Sequence, residues 1–353
     1  MNMKTFLLYG SYGYTGRLIL DRALKEGLQP LLAGRNEKKL RAQAETSNLE
    51  YRAFSFDETA KLDSALSEVD AVLHCAGPFV HTFRQMAEAC LRTKRHYVDI
   101  SGEIRGFEAL AALDQQAKAA GIMLLPGAGF DIVPSDCLAA HVKQRLPNAT
   151  HFRLFVQGVG AGVSRGTAKS AIENMHRQGM IRRNGELVQV PPAWNVREQD
   201  FGRGYTKVVS IGWGDVSTAY YSTGIPNIET YFAFPEIAIS LLRAMRMIGP
   251  LLYNRVAKKI LQVLIHFIPP GPEEEKRKNR RAVLIGEVTS KSGGRAVSKL
   301  ITPEGYTCTA LTTVEIMKRI LDGECKTGFQ TPSLAYGKDF IMQFQGVQRQ
   351  DLV

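Results

Sequence analysis

The sequence predicts an α/β fold: a doubly wound parallel sheet first, then a second α+β domain on a mixed or antiparallel sheet. Three observations carry the prediction. Short apolar runs alternate with helix-spaced segments over residues 1–126, the rhythm of βαβ units with right-handed crossovers. Three glycines, Gly10, Gly13 and Gly16, stand three apart in "LLYGSYGYTGRLILDRALKEG" (7–27), between the first apolar run and the first helical pattern. Beyond "PGAGFDIVPSD" (126–136) the rhythm stops, and strand-like runs follow one another through turns. The expected domains are 1–128 and 129–353, with a C-terminal segment able to pack back on the first.

Each element rests on its own pattern. "KTFLLYG" (4–10) is an apolar run short enough for a buried strand, and Leu18, Ile19, Ala23 and Leu24 follow at helical spacing. "LQPLLAGR" (28–35) and "LEYRAFSF" (49–56) are strands on either side of the helical "EKKLRAQAE" (37–45). "ETAKLDSALSEV" (58–69) is helical, and "DAVLHCAGPF" (70–79) is a strand running into a loop. Next come a helix, "RQMAEACLRT" (84–93), a strand, "HYVDIS" (96–101), one helix, "FEALAALDQQAKAAG" (107–121), and a strand, "IMLLPG" (122–127). A helix begins near Pro134, since proline suits a first helical turn. "FRLFVQGV" (152–159), "ELVQV" (186–190), "KVVSIGW" (207–213), "ETYFAF" (229–234), "AVLIGEVTS" (282–290) and "RAVSKLITP" (295–303) read as the strands of the second sheet. "LTTVEIMKRILDGE" (311–324) is a late helix with Gly323 at its end.

Of 353 residues, 44% are hydrophobic and 22% charged, the balance of a globular chain long enough for two domains. The net charge is +11, from 45 basic and 34 acidic residues, which favours anionic partners such as a phosphorylated ligand or a lipid surface. Nucleic acid is not an expected partner, because no basic block comes with interleaved aromatics. Cys75, Cys90, Cys137, Cys308 and Cys325 form no CxxC and no His/Cys spacing for zinc. They read as reduced thiols of a cytoplasmic protein, and no metal site is expected. "MNMKTFLLYGSYG" has no signal-peptide pattern, and no uncharged apolar stretch reaches the length of about 18 residues that a membrane span needs.

Glycines weaken regular structure, so three of them in one turn mark a backbone that something must approach. In the first βα turn of a dinucleotide fold, one glycine makes the tight turn and one lets the backbone near the pyrophosphate. The third lets helix and strand pack closely, and the anion rests on the helix N-terminus. The pattern here is G-x-x-G-x-x-G, one residue longer than G-x-G-x-x-G, but it follows a strand, opens a helix and starts a βαβ unit. Gly10, Ser11, Tyr12, Gly13, Tyr14, Thr15 and Gly16 are therefore candidate cofactor-binding residues of a Rossmann domain. The second strand ends in "AGRN", with Gly34, Arg35 and Asn36 and no carboxylate to hold a free ribose 2′-hydroxyl. Arg35 can pair with a 2′-phosphate, and Lys38 and Lys39 add positive potential, so the expected cofactor is NADP(H).

"YGSYGYTGR" (9–17), "HCAGPF" (74–79), "YVDISGE" (97–103), "GFDIVPSD" (129–136) and "RGTAKSAIE" (165–173) occur in an order similar to that of the saccharopine dehydrogenase-like oxidoreductases. The branch resembled holds the trans-acting enoyl reductases and saccharopine dehydrogenase-like proteins. The resemblance implies an NADP-dependent enzyme, a Rossmann domain followed by an α+β domain that covers the nicotinamide, and hydride transfer. It does not imply saccharopine as substrate. Arg165 departs from the pattern, where a small residue such as glycine is expected, and argues against a simply apolar pocket. The first substrate class expected is an apolar or lipid-like C=C or C=O compound. An amino-acid-derived imine, its carboxylates held by Arg165, Arg177 and Arg182, is the alternative. A non-catalytic NADP-binding protein that docks to membranes or partners is a third reading.

Ligands of open α/β sheets sit at the carboxyl ends of the strands. That adds Ala76, Gly77, Pro78 and Phe79 after the fourth strand, and Ser101 and Gly102 after the fifth, to the cofactor candidates. Ser101 and Glu103 equally suit a helix N-cap and first turn. Asp131, between Phe130 and Ile132, is a candidate catalytic proton donor, because an apolar setting raises a carboxyl pKa. Ser135 and Asp136 either join it or cap the next helix. Thr167 is a second catalytic candidate; Thr167, Ser170 and Asn174 can share a helix face, and capping explains Thr167 as well. Tyr220, in "WGDVSTAYYSTG" (213–224) with Asp215 and Tyr221, is a third, against a reading as strand core. His74 reads as a satisfied core histidine.

"IAISLLRAMRMIGPLLYNRVAKKILQVLIHFIPPG" (237–271) contains no Asp or Glu and carries Arg243, Arg246, Arg255, Lys258 and Lys259. Gly249-Pro250 divides it into two amphipathic helices. It reads either as a helical hairpin packed on the second domain or at a homodimer interface, or as a peripheral membrane element.

Overall fold

Strands of two to four residues build the first sheet, and Phe6–Tyr9, Leu31–Gly34 and Ala71–His74 are buried throughout, as expected where helices cover both sides. In the computed structural model, which describes residues 4–158, 164–174, 179–240, 242–243 and 270–353, the chain forms two units. One comprises Met1–Val133 and Tyr306–Ala335, the other Pro134–Gly305 and Tyr336–Val353. The first unit thus extends to Val133 and takes in a late segment, while the chain's end belongs to the second.

The first unit runs β1 (Phe6–Tyr9), α1 (Tyr14–Lys25), β2 (Leu31–Gly34), α2 (Glu37–Ser47), β3 (Tyr51–Ala53), α3 (Thr59–Ser67), β4 (Ala71–His74), α4 (Phe83–Thr93), β5 (His96–Asp99), α5 (Ile104–Ala111), α6 (Asp114–Ala120) and β6 (Met123–Leu125). With the short strand Gly328–Phe329 they form a seven-stranded sheet, ordered 328–329, β6, β5, β4, β1, β2, β3. Every pairing in it is parallel. In α1, Gly16, Ile19, Leu20 and Ala23 are buried, one helical stripe laid on the sheet.

The helix expected over 107–121 is two helices. Asp114 opens the second, and its carboxylate accepts the Phe329 N–H at 2.9 Å and pairs with Lys118 at 2.7 Å. A contact 215 residues away thus sets the break. The helix Gly305–Leu321 joins the first unit through Lys318, which pairs with Glu26 at 2.7 Å, and Thr312, whose hydroxyl donates to the Ala128 carbonyl at 2.8 Å.

The second unit holds α7 (Val133–Arg145), β7 (Ala149–Gln157), α8 (Arg165–Asn174), β8 (Gly179–Arg183), β9 (Glu186–Val190), β10 (Val196–Asp200), β11 (Tyr205–Ser210), α9 (Asp215–Thr223), β12 (Asn227–Ala233), β13 (Arg281–Ser290) and β14 (Arg295–Pro303). Its nine-stranded sheet is ordered β10, β11, β12, β7, β13, β14 and Gln348–Asp351, with β8 and β9 attached beside β12. β7 and β12 pair in parallel and the other pairs are antiparallel, which makes the sheet mixed. Phe155, Phe201, Val208, Tyr231, Ile285 and Val297 form a core cluster on it.

Residues 213–224 are not strand core. Asp215 sits in the first turn of α9, and Gly224 closes the helix in the left-handed region at φ +67°. The basic segment 237–271 lies outside the described residues except for 237–240, 242–243 and 270–271. Among the described residues, no helix is long and apolar enough to cross a membrane. None of the five cysteines is in a disulfide.

Candidate dinucleotide and active site

The three glycines of the first turn do three different things. Gly10 leaves β1 at φ +89°, where a side chain would be strained, and a Cβ there would stand 3.0 Å from Ala76. Gly16 lies inside α1, where a Cβ would meet the Gly10 carbonyl oxygen, so the helix packs tight against the turn. Gly13 is the N-cap residue of α1 at φ −67° and offers no side-chain cap. A Cβ at Gly13 would stand 3.1 Å from the Gly10 oxygen, a tight contact without backbone strain. A bare backbone there also leaves the first-turn N–H groups of α1 open to an anion. This cradle fits a dinucleotide pyrophosphate.

The other residues of the turn divide by contact. Ser11 is fully buried; its hydroxyl donates to Gln43 Oε1 at 2.7 Å, and Gln43 Nε2 donates back to the Ser11 carbonyl at 3.1 Å. Its side chain therefore ties the turn to α2. Tyr12 lies over Gly34 at the end of β2, and its hydroxyl accepts the Asn36 N–H at 3.2 Å. The space above Gly34, which a bare glycine would open, is taken by that ring. Asn36 caps α2, accepting the Lys39 N–H at 3.0 Å. Arg35 is exposed. Tyr14 and Thr15 open α1 half-buried, and the Tyr14 ring meets Tyr306 edge-on at 5.0 Å.

At the carboxyl edge of the same sheet, the loops after β4, β5 and β6 are latched together. Ala76 lies against Gly10, and the Gly77–Pro78 peptide is cis. The Phe79 N–H donates to Glu103 Oε1 at 3.2 Å, joining the first loop to the second. Ser101 caps no helix: its N–H and hydroxyl both donate to Asp99 Oδ1, at 2.9 and 2.8 Å. Asp99 also accepts the Gly127 N–H at 2.9 Å and the Tyr97 hydroxyl at 2.5 Å. Burial holds the Asp99 pKa above the ordinary carboxylate value despite these four donors.

Asp131 comes next. A Cβ on Gly102 would stand 3.1 Å from its Oδ2, so the two loops pack closely where the carboxyl sits. Asp131 is half-buried, and burial pushes its pKa up to about 6. His74 is fully buried among Tyr9, Phe56 and Phe79, with Nε2 2.9 Å from the Thr82 hydroxyl. Burial lowers its pKa to about 3, so it is a neutral core group.

Thr167 and Tyr220 belong to the second unit, on different helices, and each is engaged locally. Thr167 is exposed; its N–H and hydroxyl meet Ser164 Oγ at 3.2 and 3.0 Å, the arrangement of a helix N-cap. The Arg182 guanidinium lies 4.2 Å from the Tyr220 ring centre and donates to the Val216 and Gly185 carbonyls. Ser135 and Asp136 are buried within α7. Arg177 and the side chain of Asn174 lie outside the described residues.

Asp99 and Gln43 were missed as organisers of the site. The signal for Asp99 was in the sequence: an acid at the last position of a short strand, after Tyr97 and Val98. Gln43 carried none, being one of many polar residues on α2.

A parallel sheet with strand order 3-2-1-4-5-6, a glycine turn at the N-terminus of the first helix and closely latched loops at the carboxyl edge define a dinucleotide-binding domain. Residues 6–125 match the family model of the saccharopine dehydrogenase NADP-binding domain, which supports NADP as the cofactor of this segment. The chain is 23% identical over 234 residues to a lipid droplet localized protein of Caenorhabditis elegans, across 57% of this chain and 55% of the relative. It is 30% identical over 148 residues to a trans-acting enoyl reductase of Mycobacterium leprae, across 40% of this chain and 35% of that protein. The matches thus span about half or less of these relatives. Among solved structures, apo saccharopine dehydrogenase (L-Glu forming) from Saccharomyces cerevisiae shares the fold with a TM-score of 0.67 at 14% identity, over 99% of this chain and 100% of that one.

Proposed function

We propose that the protein is an NADP(H)-dependent oxidoreductase acting on an apolar or lipid-like C=C or C=O substrate. Asp131 carries the reading. It is a half-buried carboxyl raised to about 6, set at the carboxyl edge of the sheet that bears the glycine turn. Bound NADPH supplies the hydride. The reduced substrate then needs one proton, and the Asp131 carboxyl holds one at a pKa near working pH, as a general acid must. The enoyl reductase and lipid droplet relatives support the apolar substrate class.

Preference for NADP(H) over NAD(H) rests on Arg35. A hydrogen bond to a charged group is worth about 1.5–3 kcal/mol, so Arg35→Ala should weaken NADPH by roughly ten- to a hundredfold and leave NADH nearly unchanged. A wild type that prefers NADH would reject the assignment.

The activity test is NADPH oxidation against alkenoyl thioesters, long-chain enones and ketones, and amino-acid imines. Turnover with the apolar carbonyl or alkene compounds, lost in Asp131→Asn with NADPH affinity intact, is the expected result. Turnover confined to imines would move the substrate class to C=N. NADPH binding without turnover on any probe would leave a binding protein.

We also propose peripheral contact with anionic lipid through 237–271. Its apolar, basic and acid-free sequence and the lipid droplet relative support this.

A further inference from the structure

A side chain at position 34 would displace a neighbouring ring of the protein itself. A Cβ there would stand 2.7 Å from Tyr12 Cε1 and 3.2 Å from its Cζ and hydroxyl. The phenol therefore occupies the end of β2, with its oxygen accepting the Asn36 N–H. Lys39 Nζ lies 5.8 Å from the ring centre, and Arg35 follows Gly34 directly. In a doubly wound fold this strand end faces the 2′ position of the adenosine ribose, and a carboxylate there selects the free hydroxyl. Here a phenol oxygen stands at that place, with Lys39 near the ring and Arg35 next along the chain. Its lone pair takes the Asn36 proton, so the hydroxyl's own proton is left to donate. Among the described residues none accepts it.

We propose that Tyr12 is a second determinant of cofactor choice, donating its hydroxyl proton to the phosphate at the ribose 2′ position beside the Arg35 guanidinium. The inference rests on the NADP(H) reading of the turn and of Arg35. Gly34 then serves selectivity indirectly, by admitting the ring that brings the hydroxyl to the strand end.

The test is titration of the full chain with NADPH and NADH, and with adenosine 2′,5′-bisphosphate and AMP as fragments. Tyr12→Phe keeps the ring and removes only the hydroxyl. It should weaken NADPH and the bisphosphate about tenfold and leave NADH and AMP unchanged. Gly34→Ala, whose methyl displaces the ring, should lower the NADPH-to-NADH preference in the same direction. The Tyr12→Phe and Arg35→Ala pair should be non-additive, because both donate to one phosphate. An unchanged preference in Tyr12→Phe, or an equal loss of both cofactors, would overturn the proposal while leaving Arg35 intact. If the wild type binds neither cofactor or prefers NADH, the underlying reading fails instead.

Discussion

The Asp99 carboxylate accepts the backbone N–H of Gly127, 28 residues further on, at 2.9 Å. One buried oxygen thus fixes the start of the loop after β6 to the end of β5. The Ser101 N–H and hydroxyl donate to the same oxygen and fix the loop after β5, while the Tyr97 hydroxyl, within β5, donates to the other oxygen. Asp99→Ala would leave two buried backbone N–H groups and two hydroxyls without their acceptor. The expected loss is about 3 kcal/mol or more of unfolding free energy, measured by urea denaturation. A loss within error of zero would show that the latch does not hold the loops.

Asp131 makes stability depend on pH. Its folded pKa of about 6 lies above the ordinary value of 3.8, so the folded chain binds this proton more tightly than the unfolded chain. The group's contribution is therefore full below roughly pH 4 and is lost as pH rises through about 6. Asp131→Asn carries no charge at either end. It should gain about 1–2 kcal/mol over wild type at high pH and little at low pH. Urea midpoints on both sides of the window check this, and a gain of the opposite sign at high pH would reject the raised pKa.

Gly13 and Gly16 should fail in different ways. A Cβ at Gly16 meets the Gly10 and Ser11 carbonyl oxygens, so Gly16→Ala should destabilise the fold by about 1–3 kcal/mol. A side chain at Gly13 meets only one oxygen at 3.1 Å, so Gly13→Val should fold and lose NADPH binding. Melting temperature and NADPH titration on both variants separate the roles. Unchanged NADPH affinity in Gly13→Val would remove the turn from the cofactor site.

The segment 237–271 predicts adsorption to lipid. The full chain should co-sediment with vesicles rich in anionic lipid at low salt and be released at high salt, because surface charge is screened. Equal binding to neutral vesicles would mean that the cations play no part. No binding at low salt would return the segment to a packed or dimeric role.

Local patterns made much of the molecule readable in advance. Buried parallel strands are short and apolar almost throughout, so β1, β2, β4 (but for His74) and β6 stood out in one dimension. The glycine turn was legible because its constraints, a positive φ and a close approach, act within seven residues. Candidate residues were harder. Ser11, Ser101 and Asn36 have the side chains of ligand-binding residues, but the structure engages each with its own protein neighbours.

The sequence by itself determined the fold class, the succession of the first six strands and the glycine turn. Each depends on periodicity and on the backbone freedom of single residues. Only the tertiary structure decided that Tyr306–Ala335 joins the first unit, that 107–121 breaks at Asp114, and that 213–224 coils into a helix. It also decided that the space over Gly34 belongs to Tyr12. These outcomes depend on contacts between residues far apart in the chain, and burial energy and hydrogen-bond satisfaction at such distances leave no local pattern to read.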